Sequence, residues 1–202
     1  MNHLDLSPIC EPVSLDDRRR VDEFRGQLAA ASQGEQWAFT ELYESYAGRV
    51  KAFALSRSAA DADGVANDVM LRVFRNIATF EGSEGQFVSW VFTIARNRLI
   101  DLHRAAQRRP QIADGEPAVD FDPAPSAEQA AMEHFGTSDV LALLDDLTDD
   151  QRDVIVLRLL NDQSLAAVSS ILDKPVTAVK ALQRRALKQL QKKMLDRASP
   201  LG

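Results

Sequence analysis

The chain has 202 residues, of which 45% are hydrophobic and 27% charged, enough to bury one good core or two small ones. Its single cysteine, Cys10, excludes an internal disulfide, and no apolar run approaches the roughly 20 residues needed to cross a bilayer. The formal charge of −6 conceals a strong asymmetry: nine acids and no Lys or Arg lie between Gln111 and Asp146, whereas eight basic residues and one acid, Asp196, lie between Lys174 and Arg197. The start, MNHLDLSPICEP, lacks a basic segment followed by an apolar one, so no secretory signal is expected. These features point to a soluble, cytoplasmic protein without membrane insertion.

Residues 1–17 hold two prolines and no hydrophobic period, which predicts a disordered tail. A short helix is expected over 18–31, interrupted by Gly34. A stronger helix follows, with Phe39, Tyr43, Tyr46, Val50 and Phe53 at i, i+4, i+7, i+11 and i+14. Residues 61–109 then read as two amphipathic helices joined by a polar loop, Glu81 to Gln86. Ala62, Val65, Val69, Val73 and Ile77 form the buried face of the first, and Val88, Val91, Ala95, Leu99 and Leu102 that of the second.

The residues left out of those stripes carry the functional signal. The first helix of the pair turns Asp68, Leu71, Arg72 and Arg75 outward. Phe80, Phe87, Trp90 and Phe92 flank the loop, and Arg96, Arg98, Arg104, Arg108 and Arg109 follow on the second helix. Aromatic rings beside arginines suit unstacked bases and a phosphate backbone, although the same composition also describes an ordinary core with a solvated face.

Pro110 ends the arginine-rich helix. The stretch after it is acidic, contains Pro117, Pro123 and Pro125, and offers too little apolar surface to fold alone, so residues 110–127 read as a flexible linker. With so little apolar surface between them, the two flanking domains are expected to move independently. Beyond it, Thr148 with Gln151 makes a capping-box pattern for the helix DDQRDVIVLRLL. Ser164 is a candidate cap for LAAVSSIL, and Asp173 stands where the chain must turn sharply. Pro175 precedes a last helix with Val179, Leu182, Ala186 and Leu190 on one face and Lys180, Arg184 and Lys188 on the other. A short helix, a tight turn and a basic helix make a helix-turn-helix, whose second helix places its N-terminal residues in a major groove.

At this point FTELYESYAGRVKAFA, DADGVANDVMLRVFRNI, FVSWVFTIARNRLIDLHR and LTDDQRDVIVLRLLNDQSLAAVSSILDKPVTAVKALQRRALKQL together resemble the bacterial RNA polymerase sigma factors of the extracytoplasmic-function (ECF) group. The IARN tetrad after a tryptophan and the PVxxVK start of the last helix are the most specific marks. The resemblance implies an all-α fold of two small helical domains: residues 18–109 for polymerase docking and for recognising and melting the −10 element, and residues 128–197, a helix-turn-helix domain, for the −35 element. It implies that Asn67, Asp68, Leu71, Arg72 and Arg75 meet core RNA polymerase. Trp90, Asn97, Arg104 and Arg108 would meet −10 DNA, and Lys180, Ala181, Arg184, Arg185 and Lys188 −35 DNA. It further implies promoter DNA and an anti-sigma protein as partners, and a monomer when free. Gly64, Asn67, Asp173, Thr177 and Leu182 depart from the family's usual residues.

A stand-alone helix-turn-helix regulator would account for residues 148–193 but leave the cluster at 80–109 without a task. An enzyme finds little support. His3, His103 and His134 have no metal-ligand spacing and there is no glycine-rich phosphate loop, so neither a catalytic site nor a cofactor is expected.

Overall fold

The structure, a computed structural model, describes residues 15–108 and 140–198, and every regular element among them is helical. The first group comprises α1 (Leu15–Ser32), α2 (Gln36–Ser56), α3 (Ala62–Asn76), a 3-10 turn (Ile77–Thr79) and α4 (Glu84–Arg108). The second comprises a helical turn at 140–144, α5 (Asp149–Ile155), a π-helical turn (Val156–Leu160), α6 (Leu165–Leu172) and α7 (Val176–Ala198). The linker expected over 110–127 lies outside the described residues, as does most of the expected tail. Helix α1 begins at Leu15, inside the stretch read as tail.

Local chemistry sets the boundaries. Asp61 caps α3 by accepting a hydrogen bond from the Gly64 amide at 2.7 Å. A Cβ on Gly64 would lie 2.0 Å from an Asp61 carboxylate oxygen, so a glycine leaves that cap its room. The loop before α4 is shorter than expected, because Ser83 and Gln86 form their own reciprocal cap. The Ser83 amide donates to Gln86 Oε1 at 2.8 Å and the Gln86 amide to Ser83 Oγ at 3.4 Å, which starts the helix at Glu84. The connection is thus Phe80 to Ser83. Gly82 is pressed between Phe80 and Gln86, where a Cβ would meet the Gln86 Oε1 at 2.9 Å and the Phe80 ring at 3.0 Å.

Leu42, Val50, Phe53, Val69, Met70, Val73, Phe87, Val91 and Phe92 are fully buried in the first domain. Each such side chain contributes about 1.5–3 kcal/mol. Phe87 and Phe92, read from sequence as flanking a base-binding loop, belong to this core. Phe87 meets Phe24, Tyr46, Phe80 and Trp90 with ring centroids 5.3–5.8 Å apart. Tyr43 leaves its expected stripe: it is exposed, and its hydroxyl donates to Asn67 Oδ1 at 2.5 Å.

In the second domain the Thr148–Gln151 box forms as expected, and Ser164 caps α6 through the Ala167 amide at 3.1 Å. Asp173 adopts the left-handed conformation, φ 51° and ψ 48°, that reverses the chain between α6 and α7. The expected continuous helix 149–160 loosens instead into the π turn after Ile155. Asn161 Nδ2 donates to the Val156 carbonyl at 3.1 Å and Gln163 Nε2 to the Asn161 carbonyl at 2.9 Å, closing that widened turn.

The acidic linker gave no reason to expect contact between the domains, yet α4 packs on α6 and α2 on the π turn. Arg49 donates through Nε to Asn161 Oδ1 at 3.2 Å and through Nη2 to the Asn161 carbonyl at 3.0 Å. Ser89 Oγ donates to Gln163 Oε1 at 3.1 Å. Between these, Asp153, 1% exposed, faces Arg57 at 3.4 Å and Arg96 at 3.5 Å. Linker composition could not reveal this, because the groups that join the domains lie in the helices.

Candidate nucleic-acid interface

Helix α4 turns three faces in three directions. Val88, Val91, Ala95 and Leu99 are buried in the core. Ser89 and Arg96 face the second domain. Trp90, Ile94, Asn97, Asp101, Arg104 and Arg108 follow one another at i, i+4, i+7, i+11, i+14 and i+18, a single stripe along the helix. Within it Asn97, Arg104 and Arg108 are exposed. Trp90 is half-buried, stacked on Phe80 at 5.2 Å and 19°, so one face of the indole is already used. Trp90, Ile94 and Asn97 also line an open cleft of about 400 Å³ with Arg72, Asn76 and Thr79 from α3 and its 3-10 turn. Asn76 and Thr79 were not foreseen, since both lie off any apolar or basic pattern.

A second cleft, about 560 Å³, opens between α1 and the short loop, lined by Val21, Phe24, Arg25, Leu28, Gly82, Ser83, Glu84 and Gln86. Beneath it the Tyr46 hydroxyl donates to Glu84 Oε1 at 3.3 Å. Burial and the neighbouring carboxylate push the Tyr46 phenol well above its ordinary range, so it stays a neutral donor.

The candidate docking face lies on α3. Leu71 is 53% exposed, and Asn67 and Arg75 are exposed with it. Asp68 is less free than its spacing suggested: its Oδ2 lies 2.6 Å from Arg98 Nε on α4 and 3.3 Å from Arg72 Nη2.

On α7, Lys180, Arg184, Arg185 and Lys188 are exposed and Ala181 is half-buried, while Val179 and Ala186 are fully buried. The helix-turn-helix therefore presents a basic face starting at its N-terminal turns, where such helices meet base edges. Lys193, further along, is engaged with Asp146 at 2.6 Å. Among the described residues no group of His, Cys, Asp and Glu is placed to hold a metal ion, and no helix is long and apolar enough to cross a membrane.

Comparison with known proteins meets these surfaces in order. The family model Sigma-70 region 2 matches residues 42–109 and Sigma-70, region 4 matches residues 143–192. The chain is 29% identical over 189 residues to the ECF RNA polymerase sigma factor BldN of Streptomyces coelicolor, covering 93% of this chain and 70% of that one. It is 30% identical over 164 residues to the ECF RNA polymerase sigma factor SigX of Bacillus subtilis, covering 77% and 83%. The fold is similar to that of CnrH, solved in complex with the cytosolic domain of CnrY, with a TM-score of 0.61 at 25% identity over 87% of this chain and 98% of that one. Region 2 with the α3 and α4 faces, region 4 with the basic helix, and whole-chain similarity to these relatives agree: the chain belongs to the ECF RNA polymerase sigma factors.

Proposed function

We propose that this sigma factor directs promoter-specific initiation through three surfaces. Asn67, Asp68, Leu71, Arg72 and Arg75 on α3 dock core RNA polymerase, with Tyr43 joined to that face through Asn67. Trp90, Asn97, Arg104 and Arg108 on α4 hold −10 DNA, while the cleft beside Gly82 to Gln86 receives an unstacked base. Lys180, Ala181, Arg184, Arg185 and Lys188 on α7 meet the −35 duplex. On this reading the first domain spans 18–109, a linker 110–127 and the second domain 128–197. The chain acts in the cytoplasm without catalytic groups of its own.

The observation that carries this reading is one chain bearing both an exposed α4 face of Asn97, Arg104 and Arg108, which begins at an open cleft shared with α3, and an exposed basic helix, α7. A stand-alone regulator needs only the second. CnrH, held in its structure by the cytosolic domain of CnrY, supports assigning an anti-sigma protein as a further partner here. The test is transcription by purified core polymerase, with and without this chain, from a promoter library randomised across both elements. Enrichment of paired −10 and −35 sequences supports the reading; enrichment of a −35-like site alone contradicts it.

A further inference from the structure

Helix α1 forms one wall of the cleft beside Gly82 to Gln86. It is fixed there by Phe24, which meets the edge of Phe87 at 5.5 Å, and by packing on the 3-10 turn. Its arginines fall on different sides. Arg18 and Arg25 share the cleft side with Val21 and Leu28, at i, i+7, i+3 and i+10, and both are exposed. Arg25 lines the cleft itself. Asp22 lies further round the helix, and Arg19 is turned away from the cleft, paired with Glu23 at 3.1 Å.

The cleft itself favours one orientation of a nucleotide. Glu84, the carboxylate among its lining residues, accepts from the Tyr46 hydroxyl at 3.3 Å. A phosphate placed beside Glu84 would be repelled, whereas one at the α1 rim meets Arg18 and Arg25. Base inward and backbone outward is therefore the arrangement that the charges permit.

Phe80 stands between this cleft and the one beside Asn97. Its ring stacks on Trp90, which lines the latter, and lies against Gly82, which lines the former. A strand that follows Arg108, Arg104 and Asn97 along α4 thus passes the Phe80–Trp90 stack and arrives at α1. The chain leaves for the −35-reading domain from the Arg108 end of α4, which makes that end upstream and α1 downstream.

We propose that α1 is a further single-strand-binding element, in which Arg18 and Arg25 hold phosphates of the displaced strand immediately downstream of the −10 element. The proposal rests on the functional reading above. About 10 Å of helix separates the two arginines at about 1.5 Å per residue. That is room for about three nucleotides at about 3.4 Å each. Guanidinium forks suit phosphate oxygens, and such contacts position a strand without reading its sequence.

The test is binding of the full chain with core polymerase to a promoter pre-opened by mismatches across the −10 element. Neutral methylphosphonate linkages are placed on the displaced strand either just downstream or just upstream of that element. Arg18→Gln, Arg25→Gln should weaken binding on the order of tenfold and lower the log–log salt slope by about 1.4, or about 0.7 for each phosphate contact on a single strand. Downstream neutralisation should weaken the parent by a similar factor and leave this double variant unchanged. Arg18→Lys, Arg25→Lys should respond as the parent does. A parent sensitive only to upstream neutralisation overturns the proposal, as does a double variant that responds downstream as strongly as the parent. Affinity for core without DNA should be equal in parent and variant; a matching loss there assigns the arginines to the polymerase and also overturns the proposal. Should the double variant lose its helical spectrum, Arg25→Gln decides alone. If the parent with core does not bind the pre-opened promoter, the functional reading itself falls, and the proposal with it.

Discussion

Arg98 Nε on α4 lies 2.6 Å from Asp68 Oδ2 on α3, which binds the candidate docking helix to the candidate −10 helix. Asp68 therefore serves the fold as well as any partner. Both groups are about one-third exposed, so the pair is worth about 1 kcal/mol or less. Asp68→Arg should lower the melting temperature by a few degrees and weaken core binding as well, because it places like charges together. Leu71→Asp should weaken core binding with no change in melting temperature, since that side chain is 53% exposed. Calorimetry and core-binding titration of both variants check this; unchanged core binding in Leu71→Asp removes α3 from the docking surface.

On α4 the stripe and the core can be separated in the same way. An Asn97→Ala, Arg104→Ala double variant should keep its stability and lose strand opening, because both side chains are exposed. Trp90→Ala should lose stability by about 2–4 kcal/mol, since the indole stacks on Phe80 and meets the edge of Phe87. Urea unfolding beside strand-opening assays distinguishes the two. A Trp90→Ala protein of parental stability would show that the indole is not part of the packing.

Along α7 the prediction is one of kind. Arg184→Ala or Arg185→Ala should cost about 1–3 kcal/mol and relax preference at one base pair of the −35 element. Lys188→Ala, further from the helix start, should weaken all sequences alike and reduce the log–log salt slope by about one. A −35 library transcribed with each variant reads both effects. An unchanged sequence profile in both arginine variants would show that the helix does not read bases there.

The seam between the domains also has a pH signature. Burial pushes the Asp153 carboxyl up to about 6, against the pull of Arg57 and Arg96 and with a smaller push from Asp149 and Asp150. Separation that exposes the carboxyl to water would remove that push and return the group toward its ordinary value near 3.8. The closed form therefore binds more protons between about pH 4 and pH 6, so closure weakens as pH rises through that window and is flat above it. The limit is about 3 kcal/mol. Scattering across pH 4 to 7 should show opening with rising pH in the parent and none in Asp153→Asn; identical curves would place the titration elsewhere.

Much of the fold is legible in the sequence because its signals are local. The Thr148–Gln151 box, the Ser164 cap and the Asp173 reversal each depend on a few adjacent residues, and each forms. The Ser83–Gln86 cap was equally local and was masked by the polar stretch around it, which read as loop. Aromatic pattern alone could not separate Phe87 and Phe92, which are buried, from Trp90, which is half-exposed, because all three lie within six residues of one amphipathic helix. The seam was not legible at all. Asp153 follows Asp149, Asp150, Gln151 and Arg152 and reads as one more polar residue of the helix start, and nothing nearby names Arg57 and Arg96 as its partners. Long-range ion pairs leave no period.

On the proposed function, promoter opening requires this chain and core polymerase together. Permanganate reactivity of thymines in the −10 element of a library-selected promoter measures that directly. Reactive thymines are expected only when core polymerase and this chain are both present, and should be lost in the Asn97→Ala, Arg104→Ala variant. Protection of the −35 duplex by this chain, with no reactive thymine whether or not core is added, would contradict it.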